Sequence, residues 1–274
     1  MNNIPSFTEL PHPLVVGSIR QRSPLEAIAD IKASETDGAK AFIYHIQLMD
    51  EQYHNFTFFQ KIANSTVCPI MALNYRKNDR EISRKIDEQL IEVQFEAVRA
   101  GYRSVDLPAA TFDENQQESI KACNSSFAKT NPKDISMRPE IIELQREVIR
   151  KFHAKGTEVL VSSHVLVELT CEETVDLALE IQSRGADIVK IVCDCKSQEQ
   201  QVHILETNLE LQKRLDVPFL YMCIGPYSKF TRHAIPFFGS MLVFGHHEYN
   251  ELSNRMKPLL SEIREFNNTI PLVL

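Results

Sequence analysis

Short apolar runs alternate with longer amphipathic stretches along the whole chain. The runs have the length and composition of buried strands, and they lie at residues 14–19, 41–48, 69–75, 104–107, 158–163, 188–193, 219–224 and 241–244. Most of the stretches between them have helical character, and several begin with Ser-Pro or end with Gly, which are common helix boundaries. The pattern therefore predicts eight β/α units in series.

Consecutive strand–helix units indicate parallel strands, because each helix returns the chain to the same end of the sheet. Eight units in 274 residues average about 34 residues each, which suits a (β/α)8 TIM barrel, an α/β fold, as a single domain over residues 1–274. The alternative, a doubly wound nucleotide-binding sheet, needs a G-x-G-x-x-G turn that the chain lacks. A polar insertion at about 108–138 interrupts the series, and it is either a surface excursion or a lid.

Charge and composition narrow the classes of function. Lys and Arg total 30 against 37 Asp and Glu, and the resulting net charge of −7 argues against a nucleic-acid-binding protein. No apolar run approaches the ~20 residues that span a bilayer, and the first residues do not resemble a signal peptide. The six cysteines are scattered along the chain. We therefore expect a cytoplasmic protein with reduced thiols and no nucleic-acid or membrane partner.

The sixth predicted strand carries a lysine inside an otherwise apolar run. Alternation places Lys190, Val192 and Asp194 on one face of this strand. Lysine is rarely buried without a reason, because removing an unpaired ammonium from water is costly. Desolvation favours a neutral amine, which can attack a carbonyl carbon and form an imine. Lys190 is therefore either a Schiff-base nucleophile or the partner of Asp194 or another acid.

Other polar residues stand at the ends of neighbouring strands. His164 ends the fifth strand on the face that also carries Ser162. Because strands five and six should pair, we expect His164 near Lys190, either as a proton-transfer group or as a structural histidine. Arg232 follows the seventh strand and Arg76 ends the third, where each suits a substrate carboxylate or a solvated surface.

The segments VSSHVL, GADIVKI and the stretch 221–245 resemble type I 3-dehydroquinate dehydratase, a (β/α)8 Schiff-base family. The resemblance implies that Lys190 forms an imine with the ketone of 3-dehydroquinate. It implies that His164 is the general base and acid, and that Arg232 and Arg76 bind the substrate carboxylate. The implied enzyme is a lyase of the shikimate pathway, in aromatic amino acid biosynthesis, with no metal and no other cofactor.

The resemblance is clearest over residues 156–245, and several family positions are changed. The family pattern Glu-x-Arg-x-Asp on the second strand corresponds here to Ile46, Leu48 and Asp50, so only the aspartate is retained. Glu81 is at best a displaced substitute for the glutamate that orients the family's histidine. The late Ser-Ala-Pro-Gly-Gln loop, which closes on the substrate, is replaced by EYNELSNRM. These changes leave the imine chemistry in place and alter the substrate-recognition positions.

We predict that the protein dehydrates 3-dehydroquinate to 3-dehydroshikimate through a lysine Schiff base. Two alternatives remain: a Schiff-base lyase or aldolase-type enzyme acting on a different carbonyl acid, and a catalytically inactive relative that binds a metabolite. The expected partner is a small anionic keto acid, and a homodimer is a candidate assembly. The predicted site comprises the catalytic residues Lys190 and His164 and the substrate-binding residues Arg232, Arg76, Asp50, Ser18 and Met222.

Overall fold

Eight parallel strands form a barrel in the computed structural model, which describes residues 4–77, 82–114, 131–165 and 167–270. The strands are β1 (Leu14–Ile19), β2 (Ala41–His45), β3 (Ile70–Leu73), β4 (Ser104–Pro108), β5 (Glu158–His164), β6 (Ile188–Asp194), β7 (Phe219–Ile224) and β8 (Leu242–Gly245). Each of the first six strands pairs with the next in the chain, and β1 also pairs with β8. A hydrogen bond from Met241 N to Phe219 O (2.8 Å) joins the remaining two edges.

Helices surround the strands and connect them. Within the described residues they are α1 (Pro24–Thr36), α2 (Phe56–Ala63), α3 (Arg84–Arg99), α4 (Pro139–His153), α5 (Cys171–Ser183), α6 (Gln198–Arg214), α7 (Ser228–Ala234) and α8 (Leu260–Thr269). The predicted Ser-Pro start of α1 is confirmed, since Ser23 and Glu26 form a capping box. None of the helices that the structure describes is long and apolar enough to cross a bilayer. The predicted (β/α)8 TIM barrel is confirmed.

Burial on both faces explains why the strands are almost continuously apolar. Every residue of β2 and β3 is buried, and so is nearly every residue of β5 and β6. One face of each strand packs against the surrounding helices while the other fills the barrel. Polar side chains such as Asp106, Ser162 and Lys190 are therefore exceptions inside an apolar core, and their positions need a chemical explanation.

Three elements differ from the expectations based on sequence. β2 ends at His45, and Ile46–Leu48 form a 3-10 turn instead of prolonging the strand. Helix α2 has no counterpart among the predicted elements. The amphipathic stretch after the eighth apolar run predicts a last helix over about 251–266, but this helix begins at Leu260, because Pro258 lacks the N–H that a helix interior requires. The segment before Pro258 is consequently free to form turns at the mouth of the barrel.

The predicted insertion at about 108–138 is described only in part, since residues 115–130 lie outside the described residues. Its last residues pack against the barrel. Ser136 N donates to Ala109 O (3.1 Å), and the buried Arg184 donates from Nη2 to Ser136 O (2.6 Å). Asp134 is completely buried. The end of the insertion thus brings an acidic side chain back to the end of β5.

Candidate active site

Lys190 lies in β6 with its side chain inside the barrel, where only 4% of the residue is exposed. Its ammonium donates to Asp106 Oδ2 (2.8 Å) and to Tyr75 Oη (2.9 Å). Asp106 is on β4 and is completely buried, so water is excluded from this ion pair. Asp194, the acid considered from the sequence, pairs instead with Lys196 (3.0 Å). Lys190 is therefore buried as predicted, but its acid partner comes from another strand.

The carboxylate of Asp106 connects three further polar groups. Its Oδ1 accepts from Ser162 Oγ (2.6 Å), and its Oδ2 accepts from Tyr75 Oη (2.9 Å) in addition to Lys190. Burial, together with the negative charge of Asp106, raises the pKa of Tyr75 well above its ordinary value, so its phenol stays protonated at neutral pH. The network holds the amine of Lys190 in one position by hydrogen bonds from two directions.

His164 is placed beside this network by β5. Its Nδ1 lies 3.3 Å from Asp134 Oδ2, and its ring packs edge-on against that of Tyr75 with 5.5 Å between the centroids. Because a carboxylate can only accept, Nδ1 carries the hydrogen and Nε2 carries the lone pair. Burial lowers the pKa of His164, and the hydrogen bond that its Nδ1 donates to Asp134 partly offsets this. The imidazole is consequently neutral at pH 7 and oriented by an acid, as a general base requires.

Lys190 and His164 line one pocket at the mouth of the barrel. Its volume is about 30 Å³, which is room for one or two water molecules. A six-membered ring acid would therefore need neighbouring side chains to move as it binds. The apolar part of the lining is formed by Ile43, Leu73, Val192 and Phe244, and the polar part includes His45, Arg232 and Lys257.

Arg232 reaches this pocket from α7. The residue is 2% exposed, its Nη1 lies 2.9 Å from Met222 Sδ, and its Nε has no hydrogen-bond partner. No carboxylate among the described residues forms a salt bridge with it. Burial lowers the pKa of Arg232 to about 10, so the guanidinium remains charged at neutral pH. A buried, charged fork without an acid partner is suited to binding an anion.

A second polar cluster lies on the opposite wall and was only partly anticipated from sequence. Ser18 Oγ accepts from Lys257 Nζ (2.6 Å) and lies 3.2 Å from His45 Nε2. Arg20 Nη1 lies 3.1 Å from His45 Nδ1. Burial, followed by the charge of Arg20, lowers the pKa of Lys257 well below its ordinary value. Of these four residues only Ser18 was a predicted site residue.

Two predicted binding residues do not lie in this pocket. Arg76 uses Nε and Nη2 to hold the carboxylate of Asp87, with Nε 2.7 Å from Oδ1, so both arms of its guanidinium are occupied. Asp50 is exposed. Both line an adjacent open cleft of about 570 Å³, which shares His45 and Tyr75 with the pocket. Arg76 and Asp50 therefore line this outer cleft and not the Lys190 pocket, and their predicted contact with substrate stays a prediction.

The residues replacing the family's strand-two pattern also lie outside the Lys190 pocket. Ile46 is completely buried, and Leu48 lines the outer cleft, because both belong to the 3-10 turn that follows β2. Glu81, the displaced acid considered for orienting the histidine, lies outside the described residues. Asp134 occupies that orienting position instead. Sequence periodicity gave no sign of this, since Asp134 lies within the irregular insertion.

Within the part of the chain that the structure describes, no group of three or more His, Cys, Asp or Glu side chains is arranged to hold a metal ion. The buried Asp106 is the one acid that the sequence could have identified, because it interrupts an apolar strand just as Lys190 does. The arrangement combines an amine, a base and a cation around a small space, which suits the conversion of a carbonyl acid.

Comparisons with known proteins point to one family. A model of the type I 3-dehydroquinase family matches residues 17–270. A 3-dehydroquinate dehydratase from Syntrophotalea carbinolica is 30% identical over 129 residues, which are 45% of this chain and 51% of that protein. The aligned region thus spans about half the length of this curated relative. The family inferred from sequence is confirmed by the family match.

Solved structures share the fold at low sequence identity. A type I 3-dehydroquinate dehydratase from Clostridium difficile, described with covalent modified comenic acid, has a TM-score of 0.72 at 18% identity and covers 95% of this chain and 93% of its own. A 3-dehydroquinate dehydratase from Geobacillus kaustophilus has a TM-score of 0.72 at 16% identity and covers 94% and 92%. At such identities these structures are informative about the fold alone.

Proposed function

Because the chain belongs to the type I 3-dehydroquinase family, we propose that it dehydrates 3-dehydroquinate to 3-dehydroshikimate through an imine on Lys190. The observation that carries the proposal is the buried amine of Lys190, held 2.8 Å from Asp106 and sharing a pocket with His164 and Arg232. These three side chains supply a nucleophile, a base and an anion-binding group. The reaction needs those three functions and no cofactor.

The first step is attack of the Lys190 amine on the substrate ketone. Asp106 Oδ2 is placed to take the proton that the ammonium loses, so the amine can form the C–N bond. Loss of the former ketone oxygen as water then gives a cationic imine. The negative charge of Asp106 beside this nitrogen stabilises the cation, and the imine withdraws electrons from the adjacent carbon.

The second step is proton abstraction by His164. Its Nε2 takes the proton from the carbon next to the imine, and the resulting enamine expels the β-hydroxyl group. The proton on His164 is transferred to that hydroxyl, which leaves as water. Asp134 stabilises the imidazolium while it exists, because its carboxylate lies 3.3 Å from Nδ1. Water then hydrolyses the conjugated imine, which releases the product and restores the amine.

Arg232 is the proposed ligand of the substrate carboxylate. Its guanidinium is charged, buried and without an acid partner in the described residues. A bound carboxylate would supply the missing counter-charge and fix the ring relative to Lys190. The open cleft that shares His45 and Tyr75 with the pocket provides the approach route, and the two side chains must shift for a ring to pass.

The experiment is trapping with borohydride. The protein is incubated with 3-dehydroquinate, reduced and analysed by intact mass and peptide mapping, with Lys190→Ala as the variant and Lys196→Ala as the matched control. We expect a reduced adduct on Lys190, its loss in Lys190→Ala only, and formation of 3-dehydroshikimate.

Other results would point to the alternatives. The apolar wall formed by Ile43, Leu73 and Phe244 favours a second candidate, a Schiff-base lyase for a less hydroxylated carbonyl acid. Adducts with such acids but not with 3-dehydroquinate would support that candidate. If no carbonyl compound is trapped, the imine mechanism is wrong. The remaining alternative is then a catalytically inactive relative that binds a metabolite.

A further inference from the structure

Lys257 is a second buried lysine in the same pocket as Lys190, and the mechanism above does not use it. It belongs to the segment between β8 and α8 and is 6% exposed. Its Nζ donates to Ser18 Oγ (2.6 Å) and lies 5.4 Å from the ring centre of Phe244. A buried amine on the wall of a reactive pocket needs a chemical role, because burying it is costly.

The amine of Lys257 has more N–H groups than it has hydrogen-bond acceptors among the described residues. Arginine can only donate, so the contact of Arg20 Nη1 with His45 Nδ1 makes Nδ1 the acceptor. Neutral His45 therefore carries its hydrogen on Nε2, which cannot accept from Lys257 although the two atoms lie 3.4 Å apart. Ser18 Oγ is then the single acceptor for the amine among the described residues. At least one N–H of Lys257 consequently points to no protein acceptor.

The charges of the pocket are also unbalanced. Lys190 has Asp106 as its counter-charge, but Arg232, Lys257 and Arg20 form no salt bridge with any described carboxylate. Uncompensated buried charge is unfavourable unless a ligand supplies the opposite sign. Arg232 and Lys257 both line the pocket, where a bound anion would supply that opposite charge.

The backbone holds Lys257 in this position. Tyr249 Oη donates to Lys257 O (2.7 Å), and Lys257 N donates to Asn254 O (3.0 Å). The following Pro258 restricts Lys257 to extended conformations, and a bridge between His246 and Leu259 attaches the segment to the end of β8. The amine is therefore presented to the pocket by an anchored segment and not by a freely moving side chain.

We propose that Lys257 binds the substrate carboxylate together with Arg232, so that one anion accepts hydrogen bonds from both groups. The negative charge of the bound carboxylate favours the ammonium form of Lys257, which burial disfavours in the empty pocket. The proposal rests on the proposed function, because it concerns the anionic group of that substrate class. A carboxylate has four lone pairs and can accept from both groups at once. It would satisfy the open N–H of Lys257 and the unpartnered Nε of Arg232. Lys257 thus determines specificity for anionic ligands. It lies on a segment where the sequence predicted no substrate-binding residue.

The test uses two ligands that cannot form an imine because they lack a ketone. Quinate carries the carboxylate, and quinate methyl ester has the same ring without the charge. Dissociation constants are measured by calorimetry for the wild type, Lys257→Met, Lys257→Arg and the surface control Lys196→Met. Far-ultraviolet circular dichroism checks the folding of each variant, and Lys257→Gln replaces Lys257→Met if the latter does not fold.

We expect Lys257→Met to weaken quinate binding at least tenfold and ester binding less than twofold. Lys257→Arg should retain more of the affinity than Lys257→Met, and Lys196→Met should bind as the wild type does. With 3-dehydroquinate, KM should rise at least tenfold in Lys257→Met while kcat changes less than threefold, because the reacting groups are untouched.

Several outcomes would overturn the proposal. If Lys257→Met weakens the binding of quinate and of its ester equally, Lys257 shapes the pocket but does not interact with the charge of the ligand. Wild-type protein that does not prefer quinate to the ester would contradict it, as would a borohydride adduct on Lys257. If the wild type binds quinate through Lys257 but forms no adduct with 3-dehydroquinate, the anion site stands and the proposed function fails.

Discussion

Lys190 Nζ and Asp106 Oδ2 lie 2.8 Å apart at the centre of the barrel, although 84 residues separate them in the chain. β5 lies between their two strands, so the ion pair passes over Ser162, whose hydroxyl donates to the same carboxylate. Neither charge is exposed to water. The pair forms when β4, β5 and β6 are assembled side by side, and it couples the stability of the fold to the position of the reactive amine.

Replacing Asp106 by Asn should destabilise the protein by about 3 kcal/mol, because it leaves Lys190 without its counter-charge in a buried site. The measurement is urea unfolding at neutral pH. Glu51→Gln is the control, since the Glu51–Lys77 pair is on the surface, where ion pairs contribute little to stability. Equal stability of Asp106→Asn and wild type would show that the pair does not stabilise the barrel.

His164→Ala should lower kcat by about 10²–10⁴-fold, the usual contribution of a positioned base. The imine should still form, because the attacking amine belongs to Lys190. Steady-state kinetics gives the first result, and borohydride trapping with 3-dehydroquinate gives the second. Unchanged turnover would show that His164 is not part of the mechanism. Loss of the adduct would show that His164 already acts in imine formation.

The acidic limb of the kcat/KM profile should lie below pH 6.5, because burial lowers the pKa of His164 and the base must be neutral. Asp134→Asn should move this limb to still lower pH, since the Asp134 carboxylate raises that pKa. It should also reduce kcat, because the imidazolium loses its partner. A limb that moves upward in Asp134→Asn would refute the assigned role of this acid.

Acid should destabilise the fold through its buried histidines. Burial lowers the pKa of His246 to about 3, so the unfolded chain, with a histidine pKa near 6.5, binds more protons than the folded one. The contribution of His246 is therefore complete above about pH 6.5 and decreases as the pH falls toward 3, by about 3 kcal/mol at pH 4.5. Urea unfolding at pH 7 and pH 4.5 should show a smaller loss in His246→Gln. Equal losses in the two proteins would contradict this.

Two buried arginines should respond oppositely to substitution by methionine. Arg184 donates to Ala109 O (3.0 Å) and Gln145 Oε1 (2.7 Å), so Arg184→Met should cost about 3 kcal/mol or more. Arg232 has no acid partner in the described residues, so Arg232→Met should change stability by less than about 1 kcal/mol or increase it. It should nevertheless abolish binding of anionic ligands. Urea unfolding measures the stability of each variant, and titration with quinate measures anion binding. Strong destabilisation of Arg232→Met would show that this arginine has a structural role.

The strands that carry Lys190 and His164 could be assigned from local pattern, since alternation has a period of two residues and a charged residue in an apolar run is conspicuous. Met222 lines the pocket and Ser18 contacts Lys257 beside it, and their binding of substrate stays a prediction. The pairing of Arg76 with Asp87 could not be predicted in this way, because the position of Arg76 at a strand end carries no information on its partner in the folded chain.

The sequence by itself determined the barrel, the order of its strands and the side of β6 on which Lys190 stands, because these follow from periodicities within a few residues. Only the tertiary structure decided that Asp106 faces Lys190, that Asp134 orients His164, and that Lys257 enters the pocket. Those distances depend on closure of the barrel and on the paths of irregular segments, which have no repeating pattern that a linear sequence can display.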